Sequence, residues 1–201
     1  MHSSVGPGFA SKDEARRFVW DRLQSQKVAR FPFPPHGRIP NFADAGAAAR
    51  KLFDLPLLLD ARRIKVNPDA PQRYVRELPS MDVVVVGSVA VTPDGRRCGK
   101  GHGYADLEYA ILRELGHPAA PVLTTVHPLQ IVRDFPADRH DLPVSVIVTP
   151  ESIHSVENPP PPPGGIDWDL LDAAALEEMP VLAELRGCRN PRGRSDPTGS
   201  P

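Results

Sequence analysis

The residues with the clearest chemical potential lie in one short loop, residues 99–104, which reads GKGHGY. A strand that feeds a glycine-rich loop at the start of a helix can hold phosphate, because backbone N–H groups and the positive helix end face the anion while a lysine adds charge. The loop matches neither GxxxxGK[ST] nor GxGxxG. Spacing alone leaves two interpretations open: phosphate or nucleotide binding, and a plain turn with solvated charges.

The elements around the loop predict how it is positioned. Residues 83–86 are an uninterrupted valine run that stops at Gly87, which is typical of a strand buried on both faces of a parallel sheet. After the loop, the pattern predicts a helix over residues 104–115 that ends at Gly116. Further strands are expected at residues 122–126, 129–132 and 144–148. This order predicts a small α/β sheet with right-handed crossovers.

A helix near the N-terminus carries the second basic feature. Ser11 is a predicted N-cap, and Glu14 stands three residues later as its capping-box partner. The helix is predicted over residues 12–26. Lys12 and Arg16 are four residues apart and therefore share one face. The simplest interpretation of that pair is a solvated helix face.

Composition and charge narrow the class of protein. The chain has 201 residues, of which 40% are hydrophobic and 24% charged, with a formal net charge of −1. We therefore expect one soluble domain over residues 11–186, with residues 1–10 and 187–201 disordered. The charge balance argues against nucleic-acid binding. We expect no membrane association and, because no signal-type segment opens the chain, a cytoplasmic location. Prolines concentrate at residues 32–40 and 159–163, both predicted to be extended and at the surface.

The loop and its flanks resemble the signature of the 5-formyltetrahydrofolate cyclo-ligase family, also called 5,10-methenyltetrahydrofolate synthetases. The matching positions are Asp82, Gly87, Ser88, Ala90, Val91, Thr92, Gly95, Arg97, Cys98 and residues 99–106. The variants GSVAV and GYADLE resemble a divergent branch, the methenyltetrahydrofolate synthetase domain-containing proteins. Two further segments agree: Lys12 with Arg16, and a downstream motif with His127, Gln130, Pro136, His140, Asp141, Thr149 and Pro150.

The resemblance implies a three-layer, mostly parallel open sheet and an ATP-dependent reaction with Mg²⁺. In that reaction ATP phosphorylates the formyl oxygen of 5-formyltetrahydrofolate, N10 attacks the activated carbon, phosphate leaves and the methenyl bridge closes. The implied catalytic residues are Lys100 and Tyr104. The implied cofactor-binding residues are Lys12, Arg16, Arg97, Gly99, Gly101, Gly103 and Tyr104.

The resemblance also assigns Asp106 to the metal, although a first-turn helix carboxylate that interacts with the helix dipole explains this residue equally well. A solvated side chain is the alternative for Lys100. His127 and His140 are expected to make structural hydrogen bonds, and Cys98 is expected to be a small core residue. His102 lies inside the loop, where it could touch a phosphate.

One departure from the family pattern bears on function. Family members carry a long section, with two strands and much of the folate pocket, between the positions of Glu77 and Asp82, and this chain lacks it. Two functions follow as expectations. The first is a cyclo-ligase acting on reduced folate. The second is a non-catalytic nucleotide- or folate-binding regulatory module derived from that family.

Overall fold

The computed structural model describes residues 5–61, 63–66, 81–171, 176–177 and 179–189. These residues fall into two compact units, one up to Ile166 and one from Asp167 onward. Within the described residues, no helix has the length and apolar character that crossing a lipid bilayer requires. The family section that this chain is predicted to lack would lie near residues 77–82. Residues 77–80 of that stretch are outside the described ranges.

The described residues of the first unit form short strands and four α-helices. Its helices are α1 (Lys12–Ser25), α2 (Ala45–Leu52), α3 (Pro56–Leu59) and α4 (Tyr104–Glu114). Its strands are β1 (Gly6–Gly8), β2 (Ala29–Arg30), β3 (Asn41–Phe42), β4 (Arg63–Val66), β5 (Met81–Val86), β6 (Ala90–Val91), β7 (Arg97–Cys98), β8 (Val122–Thr125), β9 (Val132–Asp134), β10 (Val146–Val148) and β11 (Ile153–Ser155). The second unit contains α5 (Pro180–Arg189).

The central sheet has the strand order β11-β10-β8-β5-β4. Strands β4, β5, β8 and β10 run parallel, and only β11 is antiparallel to its neighbour. Strand β5 lies between β4 and β8, so the valine run is an interior parallel strand, as predicted. Gly87 follows at its carboxyl end, where ligands of open α/β sheets commonly bind.

The two faces of the sheet carry separate cores, which gives three layers. Val83 and Val85 pack with α2 and α3 on one face. Val84 and Val86 pack with α4 on the other face. This split follows from the alternation of side chains along a strand. The expected α/β class with a mostly parallel sheet is confirmed.

Helix α1 forms a third core with β6 and β9 rather than with the main sheet. The predicted cap is present, because the Ser11 hydroxyl accepts the backbone N–H of Glu14 at 3.2 Å. Glu14 in turn accepts the N–H of Ala10, one residue before the cap. These local bonds fix where α1 begins and therefore where Lys12 and Arg16 point.

Three local predictions differ from the structure. Residues 129–132 were expected to form a strand, but Pro128–Gln130 form a single 3-10 turn and β9 begins only at Val132. His127 and Gln130 stabilise the turn by bonding each other's backbone. Residues 1–10 were expected to be disordered, whereas Gly6–Gly8 form β1 and pair in parallel with β9. Likewise, α5 extends to Arg189, past the predicted start of the tail at residue 187.

Candidate functional site

The glycine-rich loop, residues 99–103, joins β7 to α4. Gly101 and Gly103 have φ angles of 115° and 67°, which a residue with a Cβ rarely adopts. Gly103 is the N-cap of α4, and no side chain caps this helix end. Gly103 therefore offers no side chain to the first turn of α4, an arrangement also found at helix ends that bind anions.

Arg97 holds the base of the loop. The residue is only 3% exposed. Its guanidinium donates to the carbonyl oxygens of Gly87 at 3.0 Å and Leu142 at 3.1 Å. It also donates to Asp106 at 2.5 Å. Because these bonds engage Nε, Nη1 and Nη2, Arg97 ties the loop to the end of β5. These bonds were not evident from the family resemblance, which implied that Arg97 binds the cofactor.

Asp106 lies in the first turn of α4 as the partner of Arg97. Its Oδ1 accepts both the Arg97 guanidinium and the backbone N–H of Leu142, the latter at 2.8 Å. Its Oδ2 takes no hydrogen bond from any described residue. One oxygen of this carboxylate is thus engaged in structure and the other is available to a ligand.

The basic face of α1 reaches the loop, as the resemblance implied. Arg16 donates from Nε to the carbonyl oxygen of Gly99 at 2.7 Å and pairs with Asp13. Lys12 donates to Asp138 and Asp141, each at 2.6 Å. Burial alone lowers the pKa of Lys12, but the hydrogen bonds and charges of these two carboxylates more than offset burial and raise it. Both cations are thus near the loop and paired with carboxylates.

The loop is a wall shared by two cavities. The α1-side cavity, about 480 Å³, is lined by Lys12, Arg16, Asp138, Asp141 and the loop glycines. The strand-side cavity, about 170 Å³, is lined by Gly87, Lys100, Tyr104, Glu108 and the loop. Arg97, Gly99, Gly103 and Asp106 border both cavities. Residues 99–103 therefore separate an ionic compartment from one at the carboxyl end of β5.

Lys100 and Tyr104 lie on the strand side of this wall. Lys100 is exposed and makes no hydrogen bond or ion pair with another described residue. Tyr104 is 38% exposed, and its ring stacks with that of His102 at 5.7 Å between centroids. Glu108, one turn further along α4, pairs with Lys65 of β4 at 2.5 Å. The strand-side cavity thus combines a solvent-accessible cation, stacked rings and a carboxylate.

Of the remaining candidates, His127 and Cys98 have structural surroundings, and His140 does not. Nδ1 of His127 accepts the N–H of Leu129, and burial lowers the pKa of this imidazole. Cys98 is 2% exposed, and burial raises the pKa of its thiol despite nearby cations. His140 is exposed and lines the α1-side cavity.

Sequence reasoning missed the acidic partners of the site. Asp138, His140 and Asp141 bring their ligand atoms within 4.8 Å of one another. The ammonium of Lys12 already lies on both carboxylates, so this cluster is neutralised by the protein itself. Its sequence signal is the PADRHD stretch, which the resemblance marked only through Pro136, His140 and Asp141. Glu108 gave no signal, because its partner Lys65 is 43 residues away in the chain.

Taken together, the geometry defines an α/β protein with a glycine-rich loop at the carboxyl end of a parallel sheet. Residues 67–150 match the family model of the 5-formyltetrahydrofolate cyclo-ligase family. The methenyltetrahydrofolate synthase domain-containing proteins of Mus musculus and Homo sapiens are 37% and 32% identical to this chain. Those matches cover 88% and 92% of the chain, and 63% of each relative. Residues 67–150 thus carry a match to the cyclo-ligase family, and most of the chain is similar to these domain-containing proteins.

Two further proteins are similar to parts of this chain. The 5-formyltetrahydrofolate cyclo-ligase of Escherichia coli (strain K12) is 29% identical over 92 residues, which is 45% of this chain and 49% of that enzyme. The NMR structure of Aquifex aeolicus 5,10-methenyltetrahydrofolate synthetase covers 75% of this chain and 95% of its own, with a TM-score of 0.47 and 16% identity.

The comparisons also reveal a difference in length. The match to the mouse protein spans 236 positions, but 88% of 201 residues is only about 177, so about 59 positions of the match have no counterpart in this chain. The human match gives the same difference, because it spans 244 positions and 92% of 201 is about 185. The total of about 59 unmatched positions is close to the length predicted for the missing section. That these positions form one section between Glu77 and Asp82 stays a prediction.

Proposed function

We propose that this chain binds ATP and a reduced folate on the two sides of the loop at residues 99–103, and that its reaction is the ATP-dependent closure of 5-formyltetrahydrofolate to 5,10-methenyltetrahydrofolate. The observation that carries the proposal is the loop itself. It leads into the start of α4 with a glycine as the N-cap, and it divides a cavity that contains Lys12 and Arg16 from one that contains Lys100 and Tyr104.

The α1-side cavity suits the triphosphate. Its volume of about 480 Å³ is in the range of small-molecule sites. Arg16 is close to Gly101, since a Cβ placed on that glycine would lie 3.9 Å from the guanidinium carbon. A phosphate beside Gly101 would therefore meet both bare backbone and a cation, and the glycine allows that approach.

The strand-side cavity suits the part of the folate that carries the formyl group. Lys100 belongs to the loop and lies on its strand side, where it would neutralise the negative charge of the phosphoryl group during transfer. The γ-phosphoryl group of ATP moves to the formyl oxygen and ADP leaves. The N10 lone pair then attacks the formyl carbon, and inorganic phosphate departs with that oxygen and with the proton that N10 loses. Such transfer depends mainly on positioning and charge neutralisation.

The carboxylate of Asp106 fits a role beside Mg²⁺. Protein-bound Mg²⁺ commonly takes one or two carboxylates together with substrate phosphates. Asp106 borders both cavities and offers one oxygen that no described residue uses. Bound there, the ion would neutralise phosphate charge, while Arg97 keeps the carboxylate in place.

A second candidate function is a non-catalytic nucleotide- or folate-binding module. Two observations favour it. Lys12 and Arg16 are neutralised by Asp13, Asp138 and Asp141, and about 59 positions of the longer relatives have no counterpart in the chain. If the absent section forms the folate wall, the formyl oxygen is not held in line with the phosphate, and turnover is slow even where ATP binds.

Two measurements on the 201-residue chain separate these functions. Calorimetry with ATP and Mg²⁺ tests the loop, and the absorbance of methenyltetrahydrofolate tests the reaction. Robust turnover supports the cyclo-ligase, and ATP binding with negligible turnover supports the binding module. Lack of ATP binding would overturn the cyclo-ligase and the nucleotide-binding module, and lack of folate binding as well would overturn the second function altogether.

A further inference from the structure

The proline tract at residues 159–163 borders neither cavity and takes no part in the proposed chemistry. We propose that it is a docking ligand for a partner domain that reads a polyproline II helix in an aromatic-lined groove with a basic rim. The proposal is independent of the cyclo-ligase reaction.

The backbone of the tract has little conformational choice. Each proline ring fixes φ near −65°, and each residue that precedes a proline is driven toward extended ψ values. The peptide bonds of the tract are not among the cis bonds of the chain. Five consecutive trans prolines under these restrictions form a polyproline II helix, which has three residues per turn.

The burial pattern repeats with the period of that helix. Pro160 is half-buried and Pro163 is buried, while Pro159, Pro161 and Pro162 are exposed. Residues three apart lie on the same edge of a polyproline II helix. The edge with Pro160 and Pro163 therefore faces the protein. The two other edges face solvent, and a groove that reads such a helix contacts its exposed proline rings.

The tract is fixed at both ends. Near its start, a Cβ placed on Gly95 would lie 3.5 Å from the Cβ of Pro159, so the first proline rests on the turn before β7. Beyond its end, Ile166 is 7% exposed and donates its N–H to Glu114 of α4 at 3.1 Å. A ligand already ordered in its bound form loses less entropy on association.

The charges near the tract in the sequence indicate which sign of charge the rim of the partner's groove carries. Residues 140–166 contain no lysine or arginine, and Glu157, two residues before the tract, is exposed. A groove with an acidic rim would repel Glu157 and find no lysine or arginine in the segment that carries the prolines. A basic rim is complementary to it.

The test is titration of the full chain into three purified domains: an EVH1 domain chosen for a basic rim, a WW domain with a neutral rim, and an SH3 domain with an acidic rim. We expect the EVH1 domain to bind most tightly. The Pro161→Ala, Pro162→Ala double variant should lose about tenfold or more in affinity, which corresponds to about 1.4 kcal/mol. The Pro118→Ala, Pro121→Ala variant, altered at two exposed prolines elsewhere, should bind like the unmodified chain.

A charge variant keeps the test decisive. Glu157→Lys leaves the prolines intact and should weaken the EVH1 complex severalfold while strengthening any SH3 complex. Each change is at an exposed site, so all variants should fold. Thermal unfolding checks this expectation. The proposal is overturned if the EVH1 domain does not bind, if it binds the Pro161/Pro162 variant equally well, or if the SH3 domain binds the unmodified chain most tightly. In each case the tract is only a spacer or a ligand of another kind.

Discussion

The Nη2 atom of Arg97 lies 2.5 Å from Oδ1 of Asp106, with only 2% and 15% of the two side chains exposed. The same carboxylate oxygen accepts the N–H of Leu142, and Arg97 also reaches the carbonyl oxygen of Gly87. One ion pair thus joins the end of β5, the start of α4 and the segment before β10. These three meet at the base of the glycine loop.

Replacing Arg97 by methionine should strongly destabilise the protein. The change leaves the Asp106 carboxylate largely buried without its counter-charge, a loss of about 3–5 kcal/mol when one partner of a buried pair is removed. Urea unfolding measures the effect. The matched control is Arg133→Met, at an exposed arginine of β9, which should stay within about 0.5 kcal/mol of the unmodified protein. Equal stability of the two variants would contradict a structural role for the pair.

Replacing Lys100 by alanine should weaken ATP binding without lowering stability. A charged hydrogen bond to phosphate contributes roughly 1.5–3 kcal/mol, which is about tenfold to a hundredfold in affinity. Calorimetry measures it, with Lys51→Ala on α2 as the control. An unchanged affinity for ATP would remove Lys100 from the proposed site.

Neutralising Asp138 and Asp141 together should strengthen ATP binding severalfold. Both carboxylates now hold the Lys12 ammonium, and their conversion to asparagine frees that charge for a phosphate. Because Asp138 is largely exposed, the gain should shrink as salt is added. Glu151→Gln, at an exposed carboxylate, is the control. Weaker binding in the double variant would mean instead that these carboxylates help to hold the nucleotide.

Protonation of His127 should make the protein less stable as the pH falls. Burial lowers the pKa of this imidazole in the folded chain, so the unfolded chain binds the proton more readily. The stability contribution is complete above the unfolded pKa, about 6.5, and is lost as the pH falls through the folded value. Urea unfolding at pH values on both sides of about 6.5 measures it.

The matched variant for this titration is His127→Asn. Asparagine can still accept the N–H of Leu129 as an N-cap but does not titrate. Its stability should therefore change less with pH in this window. An identical pH dependence in the two proteins would assign the effect to another group.

The sequence predicted those parts of the fold that local signals determine. Ser11 and Glu14 mark the start of α1 because capping involves neighbours in the chain. The valine run of β5 is buried on both faces, and its composition indicates that directly. The strand expected at residues 129–132 was wrong because Pro128 and the mutual bonds of His127 and Gln130 favour a tight turn. Local side-chain bonds of that kind compete with a sheet ladder.

The candidate site was predictable only in part. The resemblance brought Lys12 and Arg16 to the loop, and the structure places them there. It gave no sign that Lys12 would pair with Asp138 and Asp141, which lie 126 and 129 residues away. The resemblance also could not show that the Arg97 guanidinium bonds to two backbone carbonyl oxygens and to Asp106. Ion pairs between distant segments depend on the assembled fold, because no local pattern encodes the partner.

The shared wall of the two cavities ties their occupants together energetically. A ligand that fixes the conformation of Gly101 and Gly103 from the α1 side also fixes the loop surface that faces the strand-side cavity. A ligand in the strand-side cavity acts on the α1 side in the same way. Affinities at two linked sites change by the same factor in both directions. If ATP strengthens the hold on folate, folate must strengthen the hold on ATP equally. Through these five loop residues, the affinity for each ligand would then depend on the presence of the other, with or without turnover.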